Sequence, residues 1–283
     1  MDLQTFCQEL PKLELHAHLN GSLSRSTMTF IKRFLALTGM ADESDVFLDE
    51  FQVGPSDTKN LSESARERGL ICCFIISINR NSSKEDADVI VDHAIEYHTK
   101  YPDIVVGVEL SGNPAVGMFQ DFVPALDKAR KAGLKITLHC GEICNTQEVI
   151  EMINFKPERI GHGIYIHPKF GGNDTTWDLL RNSRIPVEIC LTSNVNTKST
   201  PDFNSHHFKE FYNANIPVVL CTDDKGVFST SLSQEYHICG ETYGIEQSKL
   251  ARLSLKACNY IFAEDVRKIL TEKILNFINK NEL

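Results

Sequence analysis

A surplus of basic charge is missing from this chain. Its 283 residues carry 29 lysines and arginines against 38 aspartates and glutamates, a formal net charge of −9. That balance argues against broad binding of nucleic acid or anionic membrane, while leaving room for one locally positive pocket. Also absent is any apolar run near the ~18 residues of a membrane span. The opening stretch, MDLQTFCQELPKLELHAHL, has acidic and polar residues where a secretory leader needs apolar ones, so no leader is expected. None of the nine cysteines forms a CxxC pair, their number is odd, and most sit inside apolar runs. A disulfide frame and a thiolate metal site are thereby excluded, and buried thiols in the reducing cytosol are expected. No Gly/Ser-rich linker breaks the chain, so residues 1–283 are read as a single domain with an atypical segment at 40–68.

What is present is ordinary globular composition, 42% hydrophobic and 24% charged, which rules out disordered, collagenous and coiled-coil chains. From about residue 70, short β-branched runs alternate with helix-like stretches. ICCFIISI (71–78), IVVGVEL (104–110), KITLHC (135–140), RIGHGIYI (159–166), PVEICLTS (186–193) and PVVLCTDD (217–224) are the runs, and LELHAHL (13–19) makes a seventh. Each is near-continuously apolar, as in a strand covered on both faces, and repeated β-then-α units predict a parallel sheet. The α/β architecture expected is a (β/α)8 TIM-type barrel, which needs eight strands. No strand is legible within 40–68, so the second strand is expected to be missing or replaced.

Chemistry-bearing residues recur just past the ends of these runs: His16 and His18, Gly112, His139 with Glu142, His162, and Asp223 with Asp224. In such a barrel the C-terminal strand ends converge on one mouth. His16 and His18, at i and i+2 of a strand, point to one face and suit a shared ion. Three imidazoles and one carboxylate suit zinc, whereas calcium or magnesium would want oxygen ligands. Gly141 permits a tight turn that brings Glu142 toward the same pocket, although a helix-start role is open to it. Asp223 and Asp224 read either as a helix cap and first-turn acid or as adjacent carboxylates whose repulsion a cation offsets. His93 and His98 read as solvated helix residues, His206 and His207 as a helix start, and Tyr97 and Tyr101 as packing residues.

Taken together, HAHLNGS, LSGNP, LHCGE, RIGHG, CLTSN and CTDDKGVF resemble the adenosine/AMP deaminase family of metal-dependent hydrolases, most closely its branch acting on N6-methyl-AMP. The resemblance implies one zinc per chain on His16, His18, His139 and Asp223. It makes Glu142 the proton donor to purine N1 and His162 the residue that orients, and takes a proton from, the attacking water. His18 would also line the substrate, Asp224 would hold the water or purine N7, and Gly112 would contact N3 through its backbone. The implied reaction turns N6-methyl-AMP into IMP plus methylamine in a cytosolic monomer, with a purine nucleoside monophosphate as partner and neither nucleic acid nor membrane. Asn20 stands where adenosine deaminases typically carry Asp. A carboxylate there repels a 5′-phosphate and an amide donates to it, which favours the monophosphate. Lys225 is a further charge beside the aspartates.

The chain departs from that family at 40–68, where a strand ending in an arginine-bearing segment is expected, and at Asn79, where the branch usually has Asp. A shortened splice form, a substituting segment and a non-catalytic derivative each account for this. The alternatives to the leading function are an adenosine deaminase acting on the nucleoside and a catalytically impaired short form.

Overall fold

The computed structural model describes residues 1–18, 22 and 71–283; Asn20 and the 40–68 segment lie outside the described residues. After helix α1 (Leu3–Glu9), strands and helices alternate. They run β1 (Phe74–Asn79), α2 (Lys84–Lys100), β2 (Val105–Ser111), α3 (Phe119–Lys131), β3 (Lys135–Cys140), α4 (Thr146–Phe155) and β4 (Arg159–His162). There follow α5 (Asp174–Ser183), β5 (Val187–Ile189), α6 (Leu191–Asn196), α7 (Phe208–Asn213), β6 (Val218–Leu220), α8 (Lys225–Phe228), α9 (Leu232–Tyr243), α10 (Gln247–Ala257) and α11 (Glu264–Lys280). The six strands form one sheet in chain order, and every neighbouring pair is parallel. This is the arrangement expected of the barrel class, with six strands rather than eight among the described residues.

Local chemistry explains the elements. Ser83 and Asp86 close a capping box at the start of α2, which then buries Ala87, Val91 and Ala94 at helical spacing. Helix α3 stops before Gly133, as its sequence predicts, with that glycine at φ 98°. β2 and β4 are buried almost throughout, which is why their residues do not alternate.

Three expected strands are shorter than their sequence suggests. β4 stops at His162 because His162 and Gly163 adopt left-handed φ of 61° and 73°, and Ile164–Ile166 is a 3-10 turn. Leu191–Asn196 is helical rather than the end of a strand, and β6 ends at Leu220. The largest difference is at 13–19. Among the described residues this run makes a single parallel bridge, Ala17 to Asp223, instead of a strand. The Glu14 carboxylate supplies the reason. It accepts from the backbone N–H of His16 (3.1 Å) and of Thr222 (3.1 Å), groups that a regular ladder would pair with carbonyls.

Leu13 packs with Cys190, Val219, Cys221 and Ile261 in a small apolar cluster that seats the N-terminal segment under the sheet. Six of the nine cysteines are buried, as expected, while Cys144 is exposed. Among the described residues, no helix is long and apolar enough to cross a membrane.

Candidate metal and catalytic site

The strand ends deliver the residues that the sequence singled out. His139 is the penultimate residue of β3, His162 closes β4, and Asp223 follows β6. Two backbone hydrogen bonds flank the Ala17 bridge, His18 N–H to the Asp223 carbonyl (3.1 Å) and Asp223 N–H to the His16 carbonyl (2.9 Å). They carry both N-terminal histidines to the same place. One ligand atom from each of His16, His18, His139 and Asp223 lies within 4.8 Å of all the others. His18 Nε2 is 3.2 Å from His139 Nε2, and Asp223 Oδ1 is 3.4 Å from His16 Nε2 and 3.2 Å from His18 Nε2.

Two carboxylates that the sequence reading missed stand behind this set. Glu188 Oε2 faces His16 Nδ1 at 2.8 Å, and Glu109 Oε1 faces His139 Nδ1 at 3.0 Å. Glu188 holds a ring proton on His16 Nδ1, and Glu109 places a carboxylate beside His139 Nδ1; a carboxylate on that side is the usual support for a metal-ligating imidazole. Their signal was legible in VEL and VEI: a glutamate inside a continuous apolar run is costly to bury without a charged or donating partner. Arg159, 1% exposed, pairs through Nε with Glu188, donates to the carbonyls of Tyr260 and Leu15, and lies 3.7 Å from the Phe262 ring. Gly161 is the first glycine of RIGHG, and a Cβ there would meet His16 Cε1 at 2.8 Å.

Electrostatics favour positive charge at the centre. Burial opposes charge on His16, yet the Asp223 and Glu188 carboxylates beside its ring outweigh it and raise its basicity well above the ordinary value. Burial likewise opposes the Asp223 carboxylate, but His16 and His18 hold it far below the usual carboxylate range. Its Oδ2 accepts from Ser193 Oγ at 2.6 Å, leaving Oδ1 to the imidazoles. Next to it, Asp224 is pushed up by burial and by the Asp223 charge.

Glu142 precedes α4, whose cap is Asn145, so it is not a helix-start residue. With Gly141 at φ 67°, the turn brings Glu142 Oε1 to 3.8 Å from His162 Nε2. His162 is pushed down to about 4 by burial and is neutral; its Nε2 is 4.0 Å from Asp223 Oδ2. Gly112 follows β2 level with Cys140, given the Leu110–Leu138 register, and Asn79 Oδ1 lies against it while accepting from Asn81 N–H. His93 and Lys225 are exposed. His98 is not simply solvated, because its Nδ1 reaches the Val105 carbonyl at 2.7 Å. His206 and His207 are buried at 1% and 0% exposure, not the open helix start their sequence suggested.

A parallel α/β sheet with three imidazoles and one carboxylate gathered at its C-terminal edge defines the class of α/β enzymes with a candidate metal centre. Within that class the chain belongs to the adenosine deaminase family, whose sequence model matches residues 45–277. It is 34% identical to the N6-methyl-AMP deaminase of Danio rerio, with 95% of both chains covered. It is 33% identical to that of Homo sapiens, over 98% of this chain and 96% of the relative. Among solved structures, Arabidopsis ADAL complexed with IMP has a TM-score of 0.82 at 32% identity, covering 98% of this chain and 99% of that one. The zebrafish alignment runs over 330 positions, more than this chain's 283 residues, so the relative carries residues that this chain lacks.

Proposed function

We propose that the chain, as a single monomeric domain of residues 1–283 in the cytosol, hydrolyses N6-methyl-AMP to IMP and methylamine with one zinc held by His16, His18, His139 and Asp223. The convergence of those four donors beside Glu142 and His162 is the observation that carries this reading. Their chemistry suits zinc. His16 Nε2 is buried without a hydrogen-bond partner, and the Nε2 atoms of His18 and His139 face one another at 3.2 Å. A cation accepts all of these lone pairs at once, and three nitrogens with one oxygen match zinc better than calcium or magnesium. When bound, zinc lowers the pKa of water toward about 7 and so supplies a nucleophile near neutral pH.

The chain's own residues then divide the work. His162 and Asp224 hold the attacking water against C6, and Glu142, as a carboxylic acid, protonates N1 as the water oxygen adds. One water proton passes to a carboxylate of the pocket in place of the one given to N1, the other moves from the added oxygen to the exocyclic nitrogen, and the C6–N6 bond breaks to release methylamine and leave C6=O. Gly112 offers backbone to N3, His18 lines the base, and the Asn20 amide donates to the 5′-phosphate. Support for the substrate comes from the relatives named N6-methyl-AMP deaminases and from IMP in the Arabidopsis structure. Cysteines that sit mostly inside apolar runs, six of them buried, suit the reducing cytosol.

Incubating the zinc-loaded protein with N6-methyl-AMP, AMP, N6-methyladenosine and adenosine, and resolving products by chromatography, tests this. IMP released fastest from N6-methyl-AMP is expected. A zinc-loaded protein that turns over none of the four overturns the catalytic reading, and preference for a nucleoside overturns the substrate.

A further inference from the structure

His206 and His207, side by side at the start of α7, both act on His162. His207 Nε2 donates to the His162 carbonyl at 2.8 Å, holding a backbone bent to φ 61°. His206 reaches the same residue's ring through Asn194. The Phe208 backbone N–H donates to His206 Nδ1 at 3.0 Å, which requires a lone pair on that nitrogen. The ring proton of His206 therefore sits on Nε2, from which it donates to Asn194 Oδ1 at 3.1 Å. With Oδ1 committed, Asn194 presents its Nδ2 hydrogens to His162 Nδ1 at 3.1 Å, and that nitrogen must accept. The reversed amide would set two donors against each other at His206, so the backbone N–H of Phe208 decides every proton along the chain. Burial of His206 agrees, since it holds that imidazole neutral.

We infer that Asn194 and His206 are positioning residues that lock His162 in the Nε2–H tautomer. Its N–H then points into the gap between Glu142 Oε1 at 3.8 Å and Asp223 Oδ2 at 4.0 Å, both beyond hydrogen-bond reach and together leaving room for a ligand oxygen. On the proposed function, His162 meets the attacking oxygen as a hydrogen-bond donor rather than as its base, and the water's proton passes to a carboxylate of the pocket. A neutral imidazole has one N–H, and its second-layer partner chooses which nitrogen carries it.

Long-range 1H–15N spectra of the 15N-histidine-labelled, zinc-loaded chain read the tautomer directly, with His162 assigned by its loss in His162→Asn. A protonated Nε2 and a bare Nδ1 are expected; a proton on Nδ1 overturns the lock whether or not the protein deaminates anything. Asn194→Asp offers only acceptors, so it should move the proton to Nδ1 and lower kcat by about 10²-fold or more, with zinc and KM retained. His206→Phe should mix the tautomers, and His206→Gln should recover part of the lost rate through its amide donor. A folded Asn194→Asp chain that keeps the Nε2–H tautomer refutes the assignment, and one with the moved proton but unchanged kcat refutes the donor role.

Discussion

Glu188 Oε2 lies 2.8 Å from His16 Nδ1 across 172 residues of chain, while the other oxygen of the same carboxylate pairs with Arg159. One buried group thus aims a candidate metal-binding imidazole and neutralises the buried Arg159 guanidinium. The two tasks separate by substitution. Glu188→Gln keeps an acceptor for the His16 ring but loses the charge, and zinc affinity should fall about 10- to 100-fold in chelator competition. Glu188→Ala strands the Arg159 guanidinium and should cost about 3–5 kcal/mol in urea denaturation.

Asp223 joins the N-terminal segment to the sheet and contributes a carboxylate to the centre. Asp223→Ala should lose the metal, measured as zinc per chain after dialysis, and with it all deaminase activity. Chelation of the unaltered protein should do the same reversibly. It should also lower the melting temperature, since a ligand at a hundred times its Kd stabilises the folded chain by about 2.7 kcal/mol.

Glu142 is placed beside His162 but outside the four-donor set. Glu142→Gln should therefore retain zinc while kcat falls about 10²- to 10⁴-fold, because an amide has no acidic proton to give N1. An unchanged kcat in this variant would remove Glu142 from the proton-donor role.

Arg80, 2% exposed, donates to the Gly117 carbonyl and to Glu148 Oε1, each at 3.0 Å, and the same Glu148 oxygen accepts from Phe119 N–H at 3.1 Å. This clamp holds the loop between β2 and α3, which begins at Gly112. Glu148→Ala should cost about 3 kcal/mol, toward the low end for a buried pair because Glu148 is partly exposed. It should raise KM more than it lowers kcat, read from steady-state kinetics.

His207 is depressed to about 3, chiefly by burial, from the free value of 6.5. Below pH 6.5 the unfolded chain gains a proton that the folded one refuses until about pH 3. Stability is thus complete above pH 6.5 and lost as pH falls through that window, at up to about 1.4 kcal/mol per unit for this residue. Urea titrations at stepped pH should show a shallower acid slope in His207→Gln.

Much of the site was legible because strand ends are legible. His139, His162 and Asp223 each follow an apolar run that ends abruptly in polar residues, and glycines mark where the chain turns or where His16 needs space. The residues behind them were not. Glu109 and Glu188 stand inside apolar strands, which signals that each needs a partner without naming it; His206 read as a helix start, and Asn194 drew no role of its own within CLTSN. Their roles are hydrogen bonds to side chains far away in sequence, and a linear pattern holds no record of such partners.

The order of the elements from residue 71 onward, the parallel sheet, the candidate metal and acid–base residues and the family are all legible in the sequence itself, since alternating apolar runs and local motifs are properties of neighbours. Only the tertiary structure decided that the N-terminal histidines dock by one bridge instead of a strand. The same holds for the choice of which imidazole nitrogen faces the centre and for the burial of two histidines to orient a third. Those outcomes depend on which side chain occupies a hydrogen-bonding direction after the chain has closed on itself, and that is settled by distances in space, not by spacing in sequence.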